Sequence, residues 1–452
     1  MKKIMAISLA LTLLLAACTP AAKPSDGQTT ESTTTTTASG TGETTTTTTT
    51  GSAVETGGST AATSSTTTSG GTTSGGTTAT SSTTKPTTST TKPTTAPTVT
   101  LNAPLEAADM ELLQKIVDTE NAWLANMQLS NGAFPMTPTN NGSVKVTPYF
   151  SDFAALSLLN QANLYKDNVK AYMEWHFNHL NTAAQDYNRV DGTIYDYTIS
   201  VSAGKVTGET SLRSYDSTDS YAATFLIVLQ KYVETTGDKA YVIGRAADVE
   251  RIVNALFATM VGDLTLAKPD YAIKYLMDNC EVYEGLMAGA KLYKDTLVPA
   301  GASAATRDKL AEYAGKVANA IETRMWNSKG GYYHPALGAD NAVAWTFKWN
   351  EYYPSSTSQT FLIIHGLLDP TSERAKTLYN TFCQYVDWEN FNHPDTFYWG
   401  SNVYTAALMG DYASAKTYFQ LYEKVMKRHN YPLYNADAAR VALAADLFLR
   451  MA

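Results

Sequence analysis

Two short stretches bring carboxylates together at a spacing that chemistry can use. Asp216-Ser217-Thr218-Asp219-Ser220-Tyr221 sets two acids three residues apart at the head of a run, Ala222 to Leu229, that carries no charge. Asp278-Asn279-Cys280-Glu281-Val282-Tyr283-Glu284-Gly285 repeats the pattern, and Asp152 follows Thr147-Pro148 inside a third charge-poor segment. Acids so placed serve either of two ends. A carboxylate three residues before another has the spacing of an N-cap and its capping-box partner. Alternatively, one protonated and one ionised carboxyl can act together as general acid and as base or nucleophile. Capping is the expectation for Asp216 and Asp278. Asp219 and Glu281 lie one turn deeper, where a cap needs no acid and the field of the helix start favours an anion. Asp152 follows a cap and first-turn proline that already suffice. Acids three apart on one helix share a face, so a reacting pair should span two helices: Asp219 with Glu281, or Asp219 with Asp152.

The elements that position these acids are helices. Apolar residues at spacings of three and four predict twelve, over 105–129, 148–164, 166–182, 216–236, 239–260, 278–294, 305–327, 355–368, 371–387, 397–409, 411–428 and 435–450. Odd-numbered ones are densely charged, as in Glu106, Asp109, Glu111, Lys115, Asp118 and Glu120. Even-numbered ones are nearly bare, with no charge from Ser355 to Leu368. A charge-poor helix is buried on most sides and a charged one shows a face to water, so the chain alternates outer and inner helices. Inner-to-outer connections are short, whereas four of the six outer-to-inner connections are long: about 130–147, 183–215, 261–277 and 328–354. If the inner helices run parallel in a ring, their N-termini and the long loops share one working rim.

That rim is rich in aromatic residues as well as acids. Tyr149, Tyr195, Tyr221, Tyr283, Trp345, Trp349, Tyr353 and Trp399 are the expected substrate contacts, with Asp216, Asp278 and Glu284 accepting hydrogen bonds. Aromatic faces stack on sugar rings, and two carboxyl groups are what glycoside hydrolysis requires.

Six hairpins, inner and outer by turns, together with Asn131-Gly132-Ala133-Phe134-Pro135, the Asp216 to Tyr221 stretch and Tyr232-Val233-Glu234-Thr235-Thr236-Gly237-Asp238, resemble the six-hairpin glycosidase superfamily over residues 105–450. The resemblance implies an all-α (α/α)6 barrel and a hydrolase of oligo- or polysaccharides. A polysaccharide lyase on the same barrel and a catalytically inert carbohydrate-binding lipoprotein are the alternative readings. Cations that would hold a uronate are few near the inner-helix starts (Arg213, Lys274, Lys348, Arg440), which weighs against the lyase.

The remainder of the chain bounds the setting. Lys2 and Lys3 precede an apolar run ending in Leu15-Ala16-Ala17-Cys18, a secretory signal whose ending resembles a bacterial lipoprotein box, with Cys18 as the acylated residue. The expected segments are therefore a signal peptide over 1–18, a Thr/Ser/Gly/Pro-rich linker over 19–101 and the barrel over 102–452. The linker lacks the apolar residues that would offset its ordering entropy, and as a flexible coil of roughly 80 residues it would span about 50 Å. Localisation is expected to be extracytoplasmic, by a lipid anchor in the membrane. The formal net charge is −8; Lys2 and Lys3 contribute +2, and three lysines and four acids in the linker contribute −1, so residues 102–452 carry −9. A nucleic-acid partner is not expected. Nor is a cofactor: the histidines lack ligand spacing, and Cys280 and Cys383 are too few for a metal site.

Overall fold

The computed structural model describes residues 99–393, 399–426, 429 and 433–452. The signal peptide, Cys18 and most of the linker lie outside the described residues. The unit formed by Thr95–Ala452 is helical, and its α-helices follow the expected alternation. They are α1 Ala107–Met127, α2 Pro148–Leu159, α3 Ala162–Asn178, α4 Asp219–Thr236, α5 Lys239–Gly244, α6 Ala246–Ala258 and α7 Leu276–Leu292, then α8 Ala304–Ala320, α9 Thr357–Ile364, α10 Glu373–Tyr385, α11 Gly400–Met409, α12 Tyr412–Met426 and α13 Asn435–Met451.

The charge-poor helices form a closed ring. In order round it, α2, α4, α7, α9, α11 and α13 each pack against the next, and α13 returns to α2. The charged helices α1, α3, α6, α8, α10 and α12 lie against them from outside. This is the (α/α)6 barrel. Ion pairs close the outer layer between its first and last members: Lys416 Nζ stands 3.0 Å from Asp109 on α1, and Lys115 2.8 Å from Glu423.

Local chemistry fixes the helix ends. Pro148 occupies the first position of α2, where its missing N–H costs nothing. Gly237 and Gly410 end α4 and α11 at φ +72°, the left-handed cap that glycine takes without penalty. Where helix boundaries depart from the periodicity, the cause is local too. The first inner helix stops at Leu159 because Asn160 and Gln161 turn the chain into α3. The segment expected over 239–260 breaks at Arg245 into α5 and α6. π-helical turns over Tyr293–Leu297, Ile321–Met325 and Tyr352–Ser356 extend or open three others.

The four long loops carry strands. β1 (Gly142–Val146) from the first loop pairs antiparallel with β2 (Tyr197–Ser202) of the second, and β2 pairs with β3 (Lys205–Ser211). A two-stranded pair, β4 (Met260–Val261) with β5 (Leu264–Thr265), opens the third loop. Further on, β6 (Ile273–Tyr275) pairs with Ala336–Gly338 of the fourth. Backbone hydrogen bonds fasten these loops to inner-helix starts: Asn435 N–H to Met136 O, Thr218 N–H to Ala267 O, and Leu276 N–H to Pro335 O. The loops and inner N-termini therefore do share one rim.

Candidate active site

The barrel interior below that rim is built by side chains from the inner helices. Tyr149 on the first turn of α2 donates its hydroxyl hydrogen to Glu281 Oε1 on α7, at 2.5 Å. Glu281 is 2% exposed. Burial pushes its carboxyl upward, against the opposing pull of His365, Tyr149 and Arg440.

Asp219 is the first residue of the neighbouring helix α4 and is 0% exposed. Its Oδ2 accepts from Thr265 Oγ1 at 2.6 Å, and its Oδ1 from the Ser220 N–H at 2.8 Å. Thr265 is itself held by Asn279 on α7, whose side-chain oxygen accepts from the Thr265 N–H. Burial raises the Asp219 carboxyl to about 8, and the negative charge of Glu281 adds to the shift. The shift favours the protonated form of Asp219, and the two carboxyl groups, on adjacent helices, sit in one another's field, which pushes their ionisations apart.

The close approach of α4 and α7 depends on a small residue. A Cβ at Gly285 would lie 2.6 Å from both Cα and Cβ of Ala223, so only glycine lets the helices approach this closely.

Other expected residues divide between the interior and the framework. Glu284, one turn below Glu281, has a side chain 39% exposed and lies 2.6 Å from His365 Nδ1. Asp278 lies in the first turn of α7 and is partly exposed. Neither Asp216 nor Asp278 is an N-cap: α4 opens from Thr218 and α7 from Tyr275. Their capping role is thereby corrected, because each helix starts elsewhere than its acid pattern suggested. Asp152 is enclosed between helices, accepting from Tyr172 on outer α3 at 2.8 Å and from Thr224 on α4 at 2.7 Å. No hydrogen bond joins it to Asp219 or Glu281 among the described residues.

Among the aromatics, Tyr221 stacks on Tyr149 at 6.1 Å and donates to Asp196, which pairs with Lys145 of β1. Tyr195 is buried with Tyr215 in a stack whose outer member, Tyr187, is exposed, and its hydroxyl donates to the Gln185 carbonyl. Tyr283 is half-buried beside Glu284. Trp345 donates to Glu351, and Trp349 stacks on Tyr385. Tyr353 is 41% exposed and lies 5.6 Å from Trp399. Trp399 precedes α11 with φ +47°, a left-handed conformation that costs energy in a bulky residue and is typical of functional sites.

Two interior residues had little signal in the sequence. His365 ends the shortest inner helix, α9, and so reaches Glu284 from the far end of its own helix. Arg440, in the second turn of α13, lies over the Phe153 ring at 4.2 Å and near Tyr404 at 5.1 Å. Its charge is the one trace available, standing in a helix otherwise placed in the inner set. The paired histidines of α3 belong to packing, with His176 stacked on Phe225 and His179 bonded to Glu209. Cys280 and Cys383 are free thiols.

The sequence matches no family profile and no curated protein. Solved structures do resemble the fold. A glycosidase solved in complex with glucose aligns over 76% of this chain and 100% of its own, with TM-score 0.55 and 13% identity. An alpha-amylase from Clostridium perfringens aligns over 75% of this chain and 97% of its own, with TM-score 0.50 and 10% identity. The chain shares the helical-barrel fold of these two proteins.

Proposed function

We propose that this protein is a glycoside hydrolase acting on an oligosaccharide or polysaccharide through the Asp219–Glu281 pair. The observation that carries the reading is the burial of those two carboxyls on adjacent inner helices, close enough for the charge of Glu281 to push the Asp219 carboxyl upward. In the reaction, the proton held by the pair passes to the glycosidic oxygen as its bond to the anomeric carbon breaks. The ionised member takes the proton of the water that adds to that carbon, so one water is consumed and one bond cleaved. Tyr149 orients Glu281 throughout. Partly exposed aromatic residues at the rim, Trp349, Tyr353 and Trp399 among them, offer ring faces to sugar, and Asp278 and Glu284 accept hydroxyl hydrogen bonds. Asp152, bonded to Tyr172 of α3 and Thr224 of α4, is assigned to holding α2 against its neighbours.

The proposal extends to location. The Leu-Ala-Ala-Cys ending at Cys18 would carry lipid, and the linker would hold the barrel away from the membrane at the bacterial surface. Cys18→Ala should release the protein from the membrane fraction; retention there would argue for a different attachment.

The deciding experiment incubates the full chain with a panel of glycans and follows reducing ends alongside the absorbance of unsaturated uronates. Reducing ends without that chromophore are expected. The chromophore would make the protein a lyase, and binding without turnover would make it an inert carbohydrate-binding module.

A further inference from the structure

The interior of the barrel is electrically two-sided. In the ring order, α7 faces α13 and α4 faces α11. Acids occupy one half: Asp219 on α4, and Asp278, Glu281 and Glu284 on α7. The other half carries Arg440 and several donors, its acid Asp437 being taken up by the Gly400 N–H. Arg440 of α13 is 9% exposed, yet its guanidinium has no hydrogen bond or ion pair to any described residue. Its neighbours are the faces of Phe153 and Tyr404. At the starts of α11 and α13, Trp399 Nε1, Ser401 Oγ and Asn435 Nδ2 are buried and likewise lack a partner among the described residues.

Such an arrangement is costly in isolation. An unpaired buried donor forfeits its hydration, and an unpaired buried charge forfeits more. Stacking on two rings recovers part of the guanidinium's loss but leaves its N–H donors without a protein partner among the described residues. Glu281, close enough to feel the guanidinium charge, is already bonded to Tyr149 and forms no ion pair with Arg440. The close contact of α11 with α13 holds the guanidinium stem in place: a Cβ on Gly400 would fall 2.9 Å from Arg440 Cβ and 2.4 Å from the Asp437 carbonyl oxygen.

We propose that Arg440 forms an anion-binding subsite that takes the carboxylate or sulfate of an acidic sugar, so that the substrate is a charged glycan. This rests on the glycoside hydrolase reading. A planar fork between aromatic faces matches an oxyanion bidentately, while the sugar ring lies over Phe153 or Tyr404 and its scissile bond meets Glu281 across the barrel. The overall negative charge of the chain does not prevent this, since charges more than about 8 Å away through solvent are screened at physiological ionic strength.

The test uses pairs of glycans identical except for the anion: a uronate-containing oligosaccharide and its carboxyl-reduced form, and a sulfated oligosaccharide and its desulfated form. The full-length chain should cleave at least one acidic member with kcat/KM about 10- to 100-fold above its neutral twin, the value of one or two charge-assisted hydrogen bonds. Arg440→Gln should erase that preference by slowing the acidic substrate selectively, and Arg440→Lys should keep part of it. Equal or better cleavage of the neutral twins by the unaltered protein, or an equal loss on both twins in Arg440→Gln, would overturn the proposal. If no glycan is cleaved, the hydrolase reading fails by itself, and calorimetry with glucuronate against glucose decides the subsite separately. Binding of glucuronate alone, lost in Arg440→Gln, upholds it; no difference between the two sugars overturns it. Should Arg440→Gln not fold, the twin comparison on the unaltered chain still decides the matter.

Discussion

Tyr149 in the first turn of α2 and Glu281 in the second turn of α7 are joined across the barrel by a hydrogen bond of 2.5 Å. The bond stabilises the ionised carboxylate. Tyr149→Phe should therefore raise the apparent pKa of Glu281, move the acid limb of the pH–rate profile to higher pH and lower kcat by about 10- to 100-fold. An unshifted profile would mean that the tyrosine serves packing alone.

Glu281→Gln keeps the shape and removes the ionisable group. Turnover should fall by at least about 1,000-fold with the thermal midpoint nearly unchanged, as read by reducing-end release and circular dichroism on the same preparation.

Asp219 links activity and stability to pH. Its folded value of about 8 lies above the ordinary 3.8, so between these values the folded chain holds a proton that the unfolded chain has released. The stability it contributes is present below about pH 4 and is lost as the pH rises through 8, by up to about 1.4 kcal/mol per unit. Urea midpoints should fall from pH 5 to pH 8, and Asp219→Asn should flatten that slope. The same proton predicts a loss of turnover above about pH 8.

Sequence patterning made most of this frame legible. Charge alternation alone separated inner from outer helices, because burial on all sides tolerates few charges. Asp219 and Glu281 could be assigned to neighbouring inner helices for that reason. What stayed hidden depends on distance rather than pattern. Asp152 has the same local context as Asp219, yet its rotation about α2 turns it toward Tyr172 and away from the interior. Strands of two or three residues, such as β4 and β5, are too short to show a period. Thr265, which bonds Asp219, and Asn279, which holds Thr265, meet only after the third loop has folded back. His365 has no ligand spacing to mark it in the sequence, since its approach to Glu284 depends on the shortness of α9.

For Asp152, the expected result is structural. Asp152→Ala removes an acceptor from two buried hydroxyls and should cost about 1–3 kcal/mol in urea denaturation. Specific activity per folded molecule should stay near that of the unaltered protein. A collapse of turnover without a loss of stability would return Asp152 to the reacting pair.

Gly285→Ala tests the spacing of α4 and α7. Its new Cβ would meet Ala223 backbone and side chain at 2.6 Å, and separating the helices should cost about 1–3 kcal/mol while also parting Glu281 from Asp219. Turnover should drop along with the denaturation midpoint.

The pairing of β1 with β2, and of β6 with Ala336–Gly338, ties the first loop to the second and the third to the fourth. In each couple a change of one residue in one loop shifts the register of its mate and turns every side chain along it to the opposite face. The two loops of each couple therefore act as one unit at the mouth of the barrel, and a change of length within either strand would be felt along its mate.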